Sequence, residues 1–253
     1  MTLEISTHTL ATLKEYLDDL LQVSEFDADS NGLVVEGRPQ LAKVGLAVNC
    51  SFQAIEAAAK RNCDLLVTHH AAWASTDAHL AAQKYDRLRQ LEINLYVAHD
   101  CLDCATGMGT SAALARAVQV LGHEPFEPDG QRPFGVHGVT SGSLPQFVGH
   151  IANRLGVKPR LWKNNDRFGH VGIIAGWGGR PQWMAQAQEL GCDTILSGEA
   201  ILFGILFARE AGLNLILAGH YATEVPGMMA LGARIARDQQ VDVTFIPEEI
   251  IER

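Results

Sequence analysis

The sequence predicts an α/β fold of two related lobes with mainly parallel sheets. Three observations carry that expectation. Strand-like and helix-like segments alternate from Lys43 onward, the second half echoes the first, and four of the ten histidines fall at the ends of three candidate strands.

The opening HTLATLKEYLDDLLQV sets Leu10, Leu13, Leu17, Leu20 and Leu21 at helical spacing with charges on the other face. FDADSNGLVVEG, rich in Asp, Asn and Gly, is expected to be a loop. KVGLAVN then predicts a buried strand, SFQAIEAAAKRN a helix with a Ser cap, and CDLLVTHH a second strand. A helix over about 80–91 leads into the strand INLYVAHD, and another covers about 110–121. VGLAV at Val44 returns as VGIIA at Val171, CDLLVT at Cys63 as CDTILS at Cys192, and INLYVAH at Ile93 as LNLILAG at Leu213. Three echoes in one order imply a first lobe over 1–122 and a second over 169–253. Between them, 123–168 is proline- and glycine-rich and is expected to connect the lobes with short strands and one helix near Leu144 to Leu155.

Hydrophobic residues make up 47% and charged residues 19%, the balance of a folded chain. A net charge of −9 leaves no basic face for general nucleic-acid binding, while a local basic pocket for one phosphorylated small molecule remains open. MTLEISTHTL has no basic segment followed by an apolar run, and no stretch is long and apolar enough to span a membrane. Five cysteines without regular spacing read as reduced thiols of a cytoplasmic protein.

Open parallel sheets bind ligands outside the carboxyl ends of their strands. There CDLLVT ends in His69 and His70, INLYVA ends in His99 and Asp100 with Asp103 a turn later, and LNLILAG ends in His220. Glu224 follows His220 by one helical turn, so the two can share a face. Neighbouring residues of a strand point to opposite faces, so His69 and His70 serve one ion only if the backbone turns, and otherwise splay toward two. Imidazole and carboxylate suit zinc, manganese or iron. Five such donors exceed what one catalytic ion with an open position needs; they fit two ions roughly 3.5–4 Å apart.

The motifs VTHHAAW, AHDCLD, CDTILSGE, GHYATE and the early DSNGLVVEG resemble the NIF-three-like dinuclear metal-centre family, many of whose members carry the name GTP cyclohydrolase 1 type 2 homologue. The resemblance runs from about Asp29 to Ile246, with Ser30 and Asn31 exchanged relative to the family's element. It implies two divalent metal ions per chain on His69, His70, Asp103, His220 and Glu224, in the cleft between the lobes. It also implies His99 in a supporting position behind the ligands, and a homohexameric ring.

Other features are read as structural. Cys101 and Cys104 form CLDC without a second pair to complete a zinc site, and Gly107 and Gly109 stand too far from their strand for a dinucleotide fingerprint. Glu199 reads as a solvated residue at a helix start, and Trp177 as packing at a turn. Two functions follow: a metal-dependent hydrolase acting on a nucleotide or phosphorylated small molecule, or a non-catalytic metal-binding or regulatory ring protein. Open coordination positions and a nearby proton-transfer group distinguish the first from the second.

Overall fold

The computed structural model describes residues 8–249. Residues 1–7, on which most of the reading against a signal peptide falls, lie outside the described residues, as do 250–253. The described chain divides into two units, one formed by 8–102 with 228–249 and the other by 103–227.

In the first unit a short strand β1 (His8–Thr9) leads into the expected leucine helix α1 (Leu10–Leu21). Thr9 and Thr12 close a capping box at its start, with the Thr12 N–H donating to Thr9 Oγ1 at 3.2 Å. Leu13, Leu17 and Leu21 are buried, each contributing roughly 1.5–3 kcal/mol. Next come β2 (Asn31–Val35), β3 (Gln40–Leu41), β4 (Lys43–Asn49), α2 (Phe52–Lys60), β5 (Leu65–His70), α3 (Ala74–Gln90), β6 (Asn94–Ala98) and α4 (Asp100–Asp103). Ser51 caps α2 as expected, its hydroxyl accepting from the Ala54 N–H at 3.0 Å. The loop expected over FDADSNGLVVEG holds only in part. Turns occupy its front, but residues 31–35 form β2, whose apolar Leu33-Val34-Val35 run supplies an antiparallel partner for β6.

The second unit contains α5 (Thr110–Ala117), β7 (Leu121–Phe126), β8 (Gly135–Val139), α6 (Leu144–Leu155), β9 (Arg160–Trp162), β10 (His170–Ile174), α7 (Pro181–Glu189), β11 (Thr194–Ser197), α8 (Leu202–Glu210) and β12 (Asn214–Leu217). Helix α9 (His220–Gln239) carries the chain onward, the division falling between Gly227 and Met228, and β13 (Asp242–Phe245) follows it.

Each unit has its own sheet. The first runs β13-β4-β5-β6-β2, parallel except for β2. The second runs β7-β8-β10-β11-β12-β9, with β10, β11 and β12 parallel and its margins antiparallel. The region expected to connect the lobes is therefore sheet: β7, β8 and β9 complete the second unit, and Phe147 and Ile151 of α6 pack into its core. Residues 228–249, expected in the second lobe, belong to the first unit, because β13 pairs with β4. Local periodicity cannot reveal a pairing between strands that far apart in sequence.

The echoes in sequence perform the same work in both units. Asn94 is fully buried, its amide donating to the carbonyls of Arg38 and Asp64 at 2.8 Å and its Oδ1 accepting from the Gly37 N–H at 2.7 Å. Asn214 does likewise, donating to the Arg167 carbonyl at 2.9 Å and accepting from the N–H groups of Asn164 and Asn165. Each buried amide satisfies loop backbone groups that would otherwise be stranded beside the sheet. Among the described residues no helix is long and apolar enough to cross a membrane.

Candidate metal centre

The predicted donors do lie at the carboxyl ends of parallel strands. In the first unit β5 ends on His70, and His99 directly follows β6. The backbone resolves the choice left open for the adjacent histidines: their rings converge, with centroids 4.8 Å apart and planes tilted by 50°. His69 and His70 thus stand together where the strand terminates. His99 joins them, its ring 4.9 Å from His69 and 5.5 Å from His70, and one donor atom from each of the three lies within 4.8 Å of the others. That puts His99 on the same geometric footing as the two predicted ligands.

The imidazoles of His69 and His70 are oriented from behind. His69 Nδ1 lies 2.8 Å from the Ala98 carbonyl oxygen, so it carries the proton and donates it, which makes Nε2 the basic nitrogen of the ring. His70 Nδ1 lies 2.7 Å from Asn49 Oδ1, with the same consequence. Asn31 sets the turn beyond β6, its Oδ1 accepting from the N–H groups of His99 and Cys101 at 3.1 Å. The exchange of Ser30 and Asn31 thereby acquires a structural meaning. Asn31 holds the strand-to-helix junction, while Ser30 Oγ accepts from the Trp73 indole at 3.4 Å. The Trp73 ring in turn lies 5.2 Å from both His70 and His99.

In the second unit His220 opens α9 and Glu224 lies one turn further, with His220 Nε2 2.9 Å from Glu224 Oε1. Glu199 corrects its sequence reading: it is half exposed, but its carboxylate accepts from His220 Nδ1 at 2.7 Å. The result is a carboxylate–imidazole–carboxylate chain of the kind that orients metal-binding histidines. Burial alone would push the His220 pKa down; Glu224 and then Glu199 outweigh it and lift the imidazole to about 9. Asp103, at the end of α4, accepts a hydrogen bond from the Thr110 hydroxyl.

Two glycines make room for this arrangement. Gly176, in the left-handed region at φ +61°, lies so close that a Cβ there would meet Glu224 Oε1 at 2.2 Å and His220 Nε2 at 3.0 Å. A Cβ on Gly198 would meet His220 Cα at 2.7 Å. Gly198 directly follows β11, and Gly176 lies in the turn just beyond β10. Trp177 does pack as expected, though on a cation, with the Arg180 guanidinium 3.7 Å from its ring centroid and 4.5 Å from that of Trp183.

The donor set fits divalent transition ions. Three histidines have Nδ1 held by an acceptor, and a buried carboxylate accompanies one of them. These features mark an α/β protein of two units with histidine and carboxylate donors beyond its parallel strands. The model of the Duf34/NIF3 (NGG1p interacting factor 3) family matches residues 8–250. The chain belongs to that family. It is 32% identical over 252 residues to a GTP cyclohydrolase 1 type 2 homolog of Deinococcus radiodurans, covering 92% of this chain and 91% of the relative. A protein of the same name from Yersinia pestis is 34% identical over 251 residues, covering 92% of this chain and 96% of that protein. Among solved structures, protein ybgI, described as of unknown function, superimposes with a TM-score of 0.84 at 26% identity, over 96% of this chain and all 100% of its own.

Proposed function

We propose that this protein holds two divalent metal ions on His69, His70, Asp103, His220 and Glu224 and hydrolyses a nucleotide or another phosphorylated small molecule. The observation that supports the metal reading is the convergence of His69 and His70 at the end of β5, each with Nδ1 turned to an acceptor so that Nε2 is the basic nitrogen. When bound, a divalent pair supplies Lewis acidity toward a phosphoryl or ring-carbon centre. Glu199 holds the Nδ1 proton of His220 and fixes its tautomer, while Glu224 supplies negative charge that offsets the repulsion between two cations. The substrate class rests on the name that the relatives bear, GTP cyclohydrolase 1 type 2 homolog. No disulfide joins cysteines among the described residues, in keeping with a cytoplasmic setting.

Elemental analysis of wild type, His220→Ala and Glu224→Gln tests the ligand set. Both variants should fold by circular dichroism, with metal lost from the first and at least one ion bound much more weakly in the second. Undiminished metal in His220→Ala would overturn the assignment. The metal-loaded wild type should then turn over one member of a panel of nucleotides and phosphoesters. A second reading, a non-catalytic metal-binding ring that displays surfaces to partners, draws support from α8, where Leu202 is 66% and Phe203 67% exposed. Full metal loading without turnover of any panel member would favour it.

A further inference from the structure

We propose that the second unit carries a separate site for a thiophilic metal ion, zinc by preference, built from His137, His170 and Cys192. His137 lies on β8, His170 opens β10, and Cys192 precedes β11, so the three come from neighbouring strands at the opposite end from His220. His137 Nδ1 is 3.0 Å from His170 Nε2, and one donor atom from each of the three residues lies within 4.8 Å of the others. Register explains the convergence. His137 faces Gly172 across the antiparallel β8–β10 pair, and His170 stands two residues before Gly172, so all three project from one face of the sheet. Gly172 bears no side chain, and its absent Cβ would come within 3.4 Å of Cys192 Sγ. The sulfur is buried, while both histidines are partly exposed and give an ion a route in.

The first unit provides an internal control. There Gly45 covers Cys63 in the same way, its absent Cβ 3.1 Å from the sulfur, so a cysteine beneath a strand glycine is a packing device common to both units. The position matching His170, two residues before the glycine, is Lys43, which pairs with Asp242 of the adjoining strand at 3.1 Å. The first unit therefore closes this corner with an ion pair, whereas the second replaces it with two imidazoles beside the thiol. Two nitrogens and one sulfur are a borderline-soft donor set that suits tetrahedral zinc with a water in the fourth position. On binding, the Cys192 thiol gives its proton to solvent and a sulfur–metal bond forms. Asp193 steadies the corner, its Oδ2 accepting from the His170 N–H at 3.2 Å and its Oδ1 from the Thr194 hydroxyl at 2.7 Å.

Cobalt(II) reports the site directly, because a thiolate ligand gives a charge-transfer absorption that imidazole and carboxylate ligands do not. Protein stripped with a chelator and titrated with cobalt should develop this band to the intensity of one thiolate-bound cobalt per chain, and zinc should remove it. The band should persist in His220→Ala and Glu224→Gln, so failure of the dinuclear reading and failure of this one remain distinguishable. It should also persist in Cys63→Ser and Cys104→Ser. It should vanish in Cys192→Ser, and cobalt affinity should fall by at least about tenfold in His137→Ala and His170→Ala, whose partly exposed positions spare the core. No band in the wild type, a band that needs millimolar cobalt, or a band that survives in both histidine variants would overturn the proposal. In those cases the pair is a hydrogen bond above a packed cysteine.

Discussion

Gly176 and Glu224 set a tight tolerance in the candidate centre, because the Glu224 carboxylate lies where any other residue at 176 would place a methyl group. Gly176→Ala must accept a left-handed backbone at a cost of about 1–2 kcal/mol and also displace Glu224 Oε1, 2.2 Å from the new carbon. The variant is expected to fold and to lose metal that depends on Glu224, as read by elemental analysis beside circular dichroism. Wild-type metal content would show that the carboxylate yields without consequence. Glu248 is another buried carboxylate with a definite task. Its Oε1 accepts from the N–H groups of Val48 at 3.1 Å and Asn49 at 2.9 Å, and its Oε2 from the Ser51 hydroxyl at 3.1 Å. Removing the acceptors in Glu248→Ala should cost about 1–3 kcal/mol. Burial pushes the Glu248 carboxyl above its ordinary value, with the hydrogen bonds opposing only part of that rise. An acid whose folded pKa exceeds its unfolded one stabilises most below the unfolded value, and loses that contribution as pH climbs through the folded value. Glu248→Gln has no such proton to lose, so urea midpoints should show it gaining on wild type as pH rises from the ordinary glutamate range toward neutrality. A difference that stays flat with pH would count against the buried charge.

Strands and helices whose signal was local were legible in the sequence. Leucine spacing gave α1, Ser51 gave the start of α2, and the bounds expected for α6 agree with Leu144–Leu155. β2 was obscured because Asp27, Asp29 and Gly32 carry turn chemistry into a segment whose strand character comes from pairing with β6. Tertiary partners, not propensity, decide such a segment. The same limit hid half of the candidate site. Histidines at strand ends are visible in sequence, but Asn49 and Glu199 act by hydrogen bonding to their rings, Asn31 by holding the His99 backbone and Gly176 by leaving room, and nothing local marks those roles. Asn31 offers an element-level test, since one oxygen serves two N–H groups at the β6–α4 junction. Asn31→Ala should lower stability by about 1–3 kcal/mol and weaken metal binding through His99, and Asn31→Asp, which keeps the acceptor, should restore most of the stability. Equal urea midpoints for wild type and Asn31→Ala would remove the junction role.

For the whole molecule, the echo between halves was legible and the division of the chain was not. The paired Asn94 and Asn214, and the paired Gly45–Cys63 and Gly172–Cys192, give the two units a common construction beneath different margins. Self-association is an expectation from the ring that the family resemblance implies, and the exposed Leu202 and Phe203 of α8 offer it a surface. Light scattering at micromolar concentration should return a hexamer, and Phe203→Glu should shift the mass downward while leaving circular dichroism unchanged; a wild-type monomer would end that expectation. The pairing of β13 with β4 also carries a consequence for biogenesis. Residues 103–227 are continuous and are all available once α9 has begun to leave the ribosome, whereas the sheet of 8–102 lacks an edge until residues 242–245 emerge. During synthesis the later-made unit is therefore able to close first, while the N-terminal segment waits with β4 uncovered on one side. A truncation that stops before β13 would strand the first-made half of the protein rather than the last.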